Sequence, residues 1–295
     1  VLLPPVVRRY FPDRVGLVTS LYATLLSIST AVPALVAVPV ADAAGWRVSL
    51  GSWLVVALIA AVPWAVVLVR GFRPEEVVTG PVELGSAPGR LGVRMLRSPT
   101  AWAIGVAFGS SSLGAYAAFA WLPKLLVERA GSAPATAGAL LAVFSIMGFP
   151  GGLLVPVLVS RFPRSTAPLV LLGGVLFAIG YLGLLLAPTT ATVVWVASAG
   201  LGPLLFPLAL VLINLRSARQ RTTIALSGFV QTVGYVLGAV GPFVVGILHD
   251  ATGGWTAPLV FLLAVLVLVP PAALVLARGR TVDSELRPTG VGGAA

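Results

Sequence analysis

Cysteine is absent from the chain, and histidine occurs once, at His249. A disulfide framework is therefore excluded, and so is a Cys/His zinc site. Charge is also scarce. Only 9% of the residues are Asp, Glu, Lys or Arg, where a soluble domain carries about 25%. A surface facing water cannot be built from so little charge. Lysine is nearly missing too, with Lys124 standing against eighteen arginines. The net charge of +10 does not make the chain a nucleic-acid binder, because such proteins gather their arginines on one face or groove. Here the arginines sit at the ends of apolar runs, and no nucleic-acid partner is expected.

What fills the chain is apolar sequence, at 58% hydrophobic residues. A helix needs about 20 apolar residues to cross a bilayer. Stretches free of Asp, Glu, Lys, Arg and His cover 15–41, 48–69, 98–123, 130–160, 165–215, 222–248 and 251–277. The stretch 165–215 is too long for one crossing. It is broken at Ala187-Pro188-Thr189-Thr190, since proline disfavours helix in the residue before it. The expectation is an all-α integral membrane protein with eight transmembrane helices. A buried soluble bundle would keep a polar stripe on its helices, and 257–277 has no polar side chain.

Numbering the gaps between spans alternately places sixteen of the nineteen basic residues on one side. Arg47, Lys124 and Arg129 alone fall on the other. The positive-inside rule makes the rich side cytoplasmic, so both termini are expected in the cytoplasm and the protein in the cell inner (plasma) membrane. The segment 71–97, with Glu75, Glu76 and Glu83 among glycines, prolines and arginines, is expected to be a cytoplasmic linker. The tail 279–295 is polar and Gly-rich and is expected to be a disordered cytoplasmic segment.

An internal repeat is visible. Arg14, Pro33, Asp42 and Gly45-Trp46 recur as Arg221, Pro242, Asp250 and Gly254-Trp255, at offsets between 207 and 209. Residues 98–278 then form a six-helix C-terminal half, and 1–70 hold the end of one span plus two complete ones from the preceding half. Partners for the other spans would lie before Val1, so roughly four further helices are expected upstream.

Three runs carry a family resemblance. The first is Leu3-Pro4-Pro5 with Arg9-Tyr10-Phe11-Pro12-Asp13-Arg14-Val15-Gly16-Leu17 and Tyr22. The second is Tyr116 with Ala120-Trp121-Leu122-Pro123. The third is Ser227-Gly228-Phe229-Val230-Gln231-Thr232-Val233-Gly234-Tyr235, then Gly241-Pro242 and Leu248-His249-Asp250. Together they resemble the major facilitator superfamily, in its cyanate and 2-nitroimidazole transporter-like branch. The resemblance implies a bundle of six plus six helices and secondary transport of a small solute, a small anion such as cyanate among the candidates. It implies no cofactor and a monomer at full length. The superfamily's loop motif, Gly-x-Leu-x-Asp-Arg-x-Gly-Arg, is met by 156–164 only at Leu158, Arg161 and Arg164. Ser160 stands at its aspartate and Pro163 at its second glycine, so the acid that usually contacts a helix end is missing. Glutamine, frequent in the branch near Ser110–Ser111, is missing as well.

Polar side chains within the spans mark where a solute would sit, because lipid does not solvate them. Ser227, Gln231 and Tyr235 recur at i, i+4 and i+8 and share one helical face. Gly234, Gly238 and Gly241 lie beside them and favour close helix packing. Ser112 and Tyr116 share a face of the span 98–123, and Tyr22 lies in the first complete span. These six polar residues are the expected solute-binding set, although serines in membrane helices also bond their own backbone. Trp121 and Lys124 fit either an aromatic belt with a snorkelling lysine or an anion-attracting cavity mouth. His249 and Asp250 are expected to end a helix at the outer surface. An intramembrane enzyme would need paired carboxylates, a Ser/His pair or metal ligands within the bilayer, and the spans hold none. The remaining alternatives are a multidrug-type exporter of the same fold and an inactive transporter fragment.

Overall fold

A computed structural model describes residues 15–69 and 88–286, apart from scattered side chains within the helices. The motif before Val15, the linker through Ala87 and the tail from Arg287 lie outside the described residues. The described chain is helical from end to end. The helices are α1 (Val15–Ala44), α2 (Trp46–Gly51), α3 (Trp53–Val69), α4 (Pro88–Met95), α5 (Pro99–Ala130), α6 (Pro134–Arg161), α7 (Thr166–Leu186), α8 (Thr192–Leu201), α9 (Leu205–Leu215), α10 (Gln220–Thr252), α11 (Thr256–Leu266), α12 (Val269–Ala277) and the single turn α13 (Val282–Glu285).

Seven helical segments among the described residues are long and apolar enough to cross a membrane. The segment 15–41 expected as a further span lies within α1, one unbroken helix of 30 residues. Three crossings are joined from shorter pieces: α2 with α3, α8 with α9, and α11 with α12. The α8–α9 joint is a 3-10 turn at Gly202–Leu204 containing Pro203, and the α11–α12 joint precedes Pro270-Pro271. The break expected near Ala187–Thr190 is present, because α7 ends at Leu186 and α8 begins at Thr192.

Local chemistry sets the ends. Pro99 occupies the first turn of α5, where its missing N–H costs nothing, and Ser98 caps that turn by accepting from Ala101 N at 3.1 Å. Gly131 and Gly253 end α5 and α10 with φ of 64° and 65°, the left-handed region where glycine carries no Cβ penalty. At 32 and 33 residues, α5 and α10 are about 48 Å long. They overrun a hydrocarbon core of about 30 Å, so their charged ends stand outside it.

The most extensive contact in the molecule joins α5 to α10. The glycine face anticipated on α10 makes it. A Cβ at Gly234 would collide with the Phe108 ring, one at Gly238 would lie 2.8 Å from Tyr116 Cδ2, and one at Gly241 would lie 2.8 Å from Leu113 Cγ. Helix backbones approach closely in this way where lipid supplies no hydrophobic drive between them. A second close contact joins α1 to α6, where a Cβ at Gly138 would meet Ala34 O at 2.7 Å. The helix α7 is two-faced. Leu171, Leu172, Val175, Ile179 and Leu182 are exposed, while Val170, Phe177, Tyr181 and Leu184 are buried.

Two expectations change. Part of the segment expected as a linker is the helix α4, which packs on α10 and buries Met95 completely. The first residues of the expected disordered tail are also ordered. Val282 is fully buried, and its N–H donates to Arg216 O at 2.8 Å. The cause lies in the tail's two acids. Asp283 accepts from Ala218 N and Thr222 Oγ1, both at 2.6 Å. Glu285 accepts from Ser98 Oγ at 2.5 Å and Thr100 Oγ1 at 2.6 Å. Each carboxylate closes the N-terminus of a long helix, α10 and α5 respectively, where free N–H groups and the helix dipole favour negative charge.

Candidate functional site

The polar stripe of α10 borders an open groove of about 510 Å³, lined by Gly228, Gln231, Thr232, Tyr235, Val236 and Ala239, all on α10 itself. The spacing that puts Ser227, Gln231 and Tyr235 on one face also organises them. Gln231 Nε2 donates to Ser227 Oγ at 2.7 Å, which holds the amide against its own helix. Tyr235 is 42% exposed, and its ring meets the edge of Phe108 at a centroid distance of 5.4 Å. Phe108 is fully buried and also packs on Phe206 at 5.1 Å. Tyr235 thus stands on an aromatic base drawn from α5 and α9.

Tyr116, on the neighbouring helix α5, does not line that groove. It is 46% exposed, and its ring covers Gly238, within one turn of Tyr235 on α10. Ser112 is buried, and its Cβ is 3.3 Å from a Cβ built at Gly238, so it faces the α5–α10 seam and not the groove. Ser110 and Ser111 are buried as well, and Ser111 Oγ donates to Pro203 O at 3.3 Å. Tyr22 sits on α1, but its side chain lies outside the described residues.

Arg161 ends α6, and Arg164 lies in the 3-10 turn Pro163–Ser165. Ser160 Oγ turns back to Val157 O at 3.0 Å, so no contact to a helix end is made from the position where the motif carries an acid. Asp283 and Glu285 supply such contacts from the far end of the chain. Burial works to raise the Asp283 carboxyl. Hydrogen bonds from Thr222 and from the Ala218 and Arg219 amides, with the Arg219 charge, outweigh it and hold the group below the usual carboxylate range.

The arginine-poor end carries a cluster that sequence reasoning read piecemeal. Trp121 Nε1 donates to Pro242 O at 2.8 Å, and Trp255 Nε1 donates to Glu128 Oε2 at 2.8 Å. Lys124 lies 3.7 Å from Glu128. His249 is buried among these side chains, in place of the plain surface helix end expected for it. Trp121 joins α5 to α10 there, while Lys124 pairs with Glu128 within α5. Thr232 and Val236 were also missed as groove residues. They flank the polar stripe, and only the i+4 recurrence from Gly228 marks them.

Long apolar helices, seven of them among the described residues able to cross a bilayer, define a multi-pass membrane protein, and one of them carries an uncharged polar stripe. The chain belongs to the Major Facilitator Superfamily, whose model matches residues 1–239. It is 33% identical over 284 residues to the uncharacterized transporter YycB of Bacillus subtilis (strain 168), covering 95% of this chain and 68% of that protein. It is 31% identical over 291 residues to the 2-nitroimidazole transporter of Escherichia coli (strain K12), covering 97% and 70%. It is 28% identical over 256 residues to the cyanate transport protein CynX of the same organism, covering 86% and 63%.

Proposed function

We propose that the chain builds the solute path of a secondary active transporter for a small anion, moved by alternating access, with Gln231, Tyr235 and Tyr116 contacting the solute. The observation that carries this reading is the stripe itself, one amide and one phenol facing an open groove, with a second half-exposed phenol on the adjoining helix. Amide N–H and phenol O–H groups donate to an anion. Among the described residues the stripe carries no fixed charge, which leaves binding weak enough for release. Alternating access requires only that the solute bind the two gate states in turn, with no covalent chemistry. The names of two relatives supply the first solutes to try, cyanate and 2-nitroimidazole.

The arginine-rich end is read as cytoplasmic, the membrane as the plasma membrane, residues 98–278 as one six-helix half and the working unit as a monomer. The test is flux into liposomes carrying the protein encoded by the gene. The expected result is saturable uptake of labelled cyanate or 2-nitroimidazole that bulky lipophilic cations do not inhibit. Export of lipophilic cations without saturable small-solute flux would instead identify a multidrug-type exporter and overturn this reading.

A further inference from the structure

Helix α4 leads into the crossing α5 and is amphipathic. Met95 is fully buried where α4 packs on α10. Val93 and, in the turn that follows, Leu96 are apolar yet 64% and 54% exposed. They are three positions apart and share one face. Arg94 and Arg97, also three apart, share the next face and are exposed. Trp102, one turn into α5, adjoins the apolar flank. Its Nε1 donates to Leu96 O at 3.0 Å, its ring meets the edge of Phe229 at a centroid distance of 5.1 Å, and it stays partly exposed.

Exposed apolar side chains flanked by arginines and an indole are the composition of a helix lying in a membrane interface. The position of α4 agrees. The uncharged stretch of the crossing begins directly after Arg97, which sets α4 and its turn at the edge of the hydrocarbon core. Water would leave Val93 and Leu96 solvated at a cost, whereas the acyl boundary covers them.

Charge selects the lipid. Arg219, Arg278 and Arg280 are exposed at the same end. The described acids there, Asp283 and Glu285, are held on the N-termini of α10 and α5. Arg94 gives one N–H to Leu286 O, and Arg97 pairs with no carboxylate among the described residues. A phosphodiester accepts from guanidinium groups in the fork geometry that arginine offers. A choline headgroup would bring its own cation into this field, and a headgroup of net negative charge would not. We infer that α4 with its following turn is a docking site for anionic phospholipid: Val93 and Leu96 enter the acyl boundary, and Arg94 and Arg97 hold the headgroup phosphate. The inference rests on the faces of α4 and not on which solute is carried.

The test is a nitroxide attached at Val93→Cys in the protein encoded by the gene, reconstituted in lipid nanodiscs. This chain has no cysteine to compete for the label, and Leu96→Cys replaces Val93→Cys should the latter fail to fold. Oxygen, which concentrates among acyl chains, should reach the label more readily than a water-soluble nickel chelate. A label shielded from both would mean that protein covers this face, and one reached mainly by the chelate would place it in water. Either result overturns the inference. As phosphatidylglycerol replaces phosphatidylcholine in the discs, the label's motion should slow. Arg97→Gln should raise the phosphatidylglycerol fraction needed for half of that change about fivefold. No response to phosphatidylglycerol, or the wild-type response in Arg97→Gln, overturns the inference. So does an equal response to inorganic phosphate added to phosphatidylcholine discs, which would make the site one for a free anion.

Discussion

Asp283 caps a helix that begins 63 residues before it: its carboxylate accepts from Thr222 Oγ1 and from Ala218 N, each at 2.6 Å. A polar segment beyond the last crossing thereby becomes part of the frame that carries the groove, since Thr222 lies on the same helix as Gln231 and Tyr235.

Removing that cap has an expected size and an expected pH dependence. Asp283→Asn should cost on the order of 0.5–1 kcal/mol of stability, the range for an exposed charge at a helix N-terminus. The folded-state carboxyl is held low, so its contribution is present above the unfolded-state range and disappears as pH falls through the folded value. Thermal unfolding of the purified protein should therefore separate wild type from variant at neutral pH. The gap should begin to close near the ordinary aspartate value of about 3.9 and vanish only in stronger acid, below the depressed folded value. A gap that persists in acid would show that the charge is not what stabilises the cap.

Two glycines on α10 should respond in opposite directions. Nothing lies within 4 Å of a Cβ built at Gly228, so Gly228→Ala should stabilise by up to about 1 kcal/mol through helix propensity. At Gly234 the added methyl meets Phe108, which is itself wedged against Phe206 and Tyr235. Gly234→Ala should cost about 1–3 kcal/mol as overpacking. Unfolding temperatures of the two variants measured side by side check the pair.

Tyr181 offers a test of an orphaned group. Its hydroxyl is buried without a hydrogen-bond partner among the described residues, beside a pocket of about 30 Å³. Removing a buried unsatisfied hydroxyl recovers desolvation of about 1 kcal/mol or more, so Tyr181→Phe should raise the unfolding temperature. A lowered temperature would mean that an ordered water in the pocket satisfies the hydroxyl.

The parts legible in the sequence are those written locally. The absence of charge over 20 or more residues marked the crossings. Pro188 and its neighbours marked the end of α7, and the i, i+4, i+8 spacing placed Ser227, Gln231 and Tyr235 on one face. The misreadings concern partners far apart in the chain. The order of residues 279–286 depends on pairings such as Glu285 with Thr100, 185 positions away. Gly279 and Thr281 give no local hint of it. The burial of His249 depends on Glu128, which reads by itself as a surface charge next to Arg129. Ser112 shares the helical face of Tyr116 and both meet Gly238 in the seam between α5 and α10, yet Ser112 is buried there while Tyr116 stays half exposed. Helical periodicity identifies a face but not which end of it a neighbouring helix covers.

The central claim is that the face of α10 carrying Gln231, with Tyr116 on the adjoining helix, contacts the transported solute. Initial rates of saturable flux in liposomes, compared among wild type, Gln231→Ala and Tyr116→Ala at matched protein content, test it most directly. Each lost hydrogen bond of about 1 kcal/mol should lower kcat/KM by roughly five- to tenfold, with unfolding temperatures unchanged. Wild-type flux in both variants for the solute the protein carries would contradict the account.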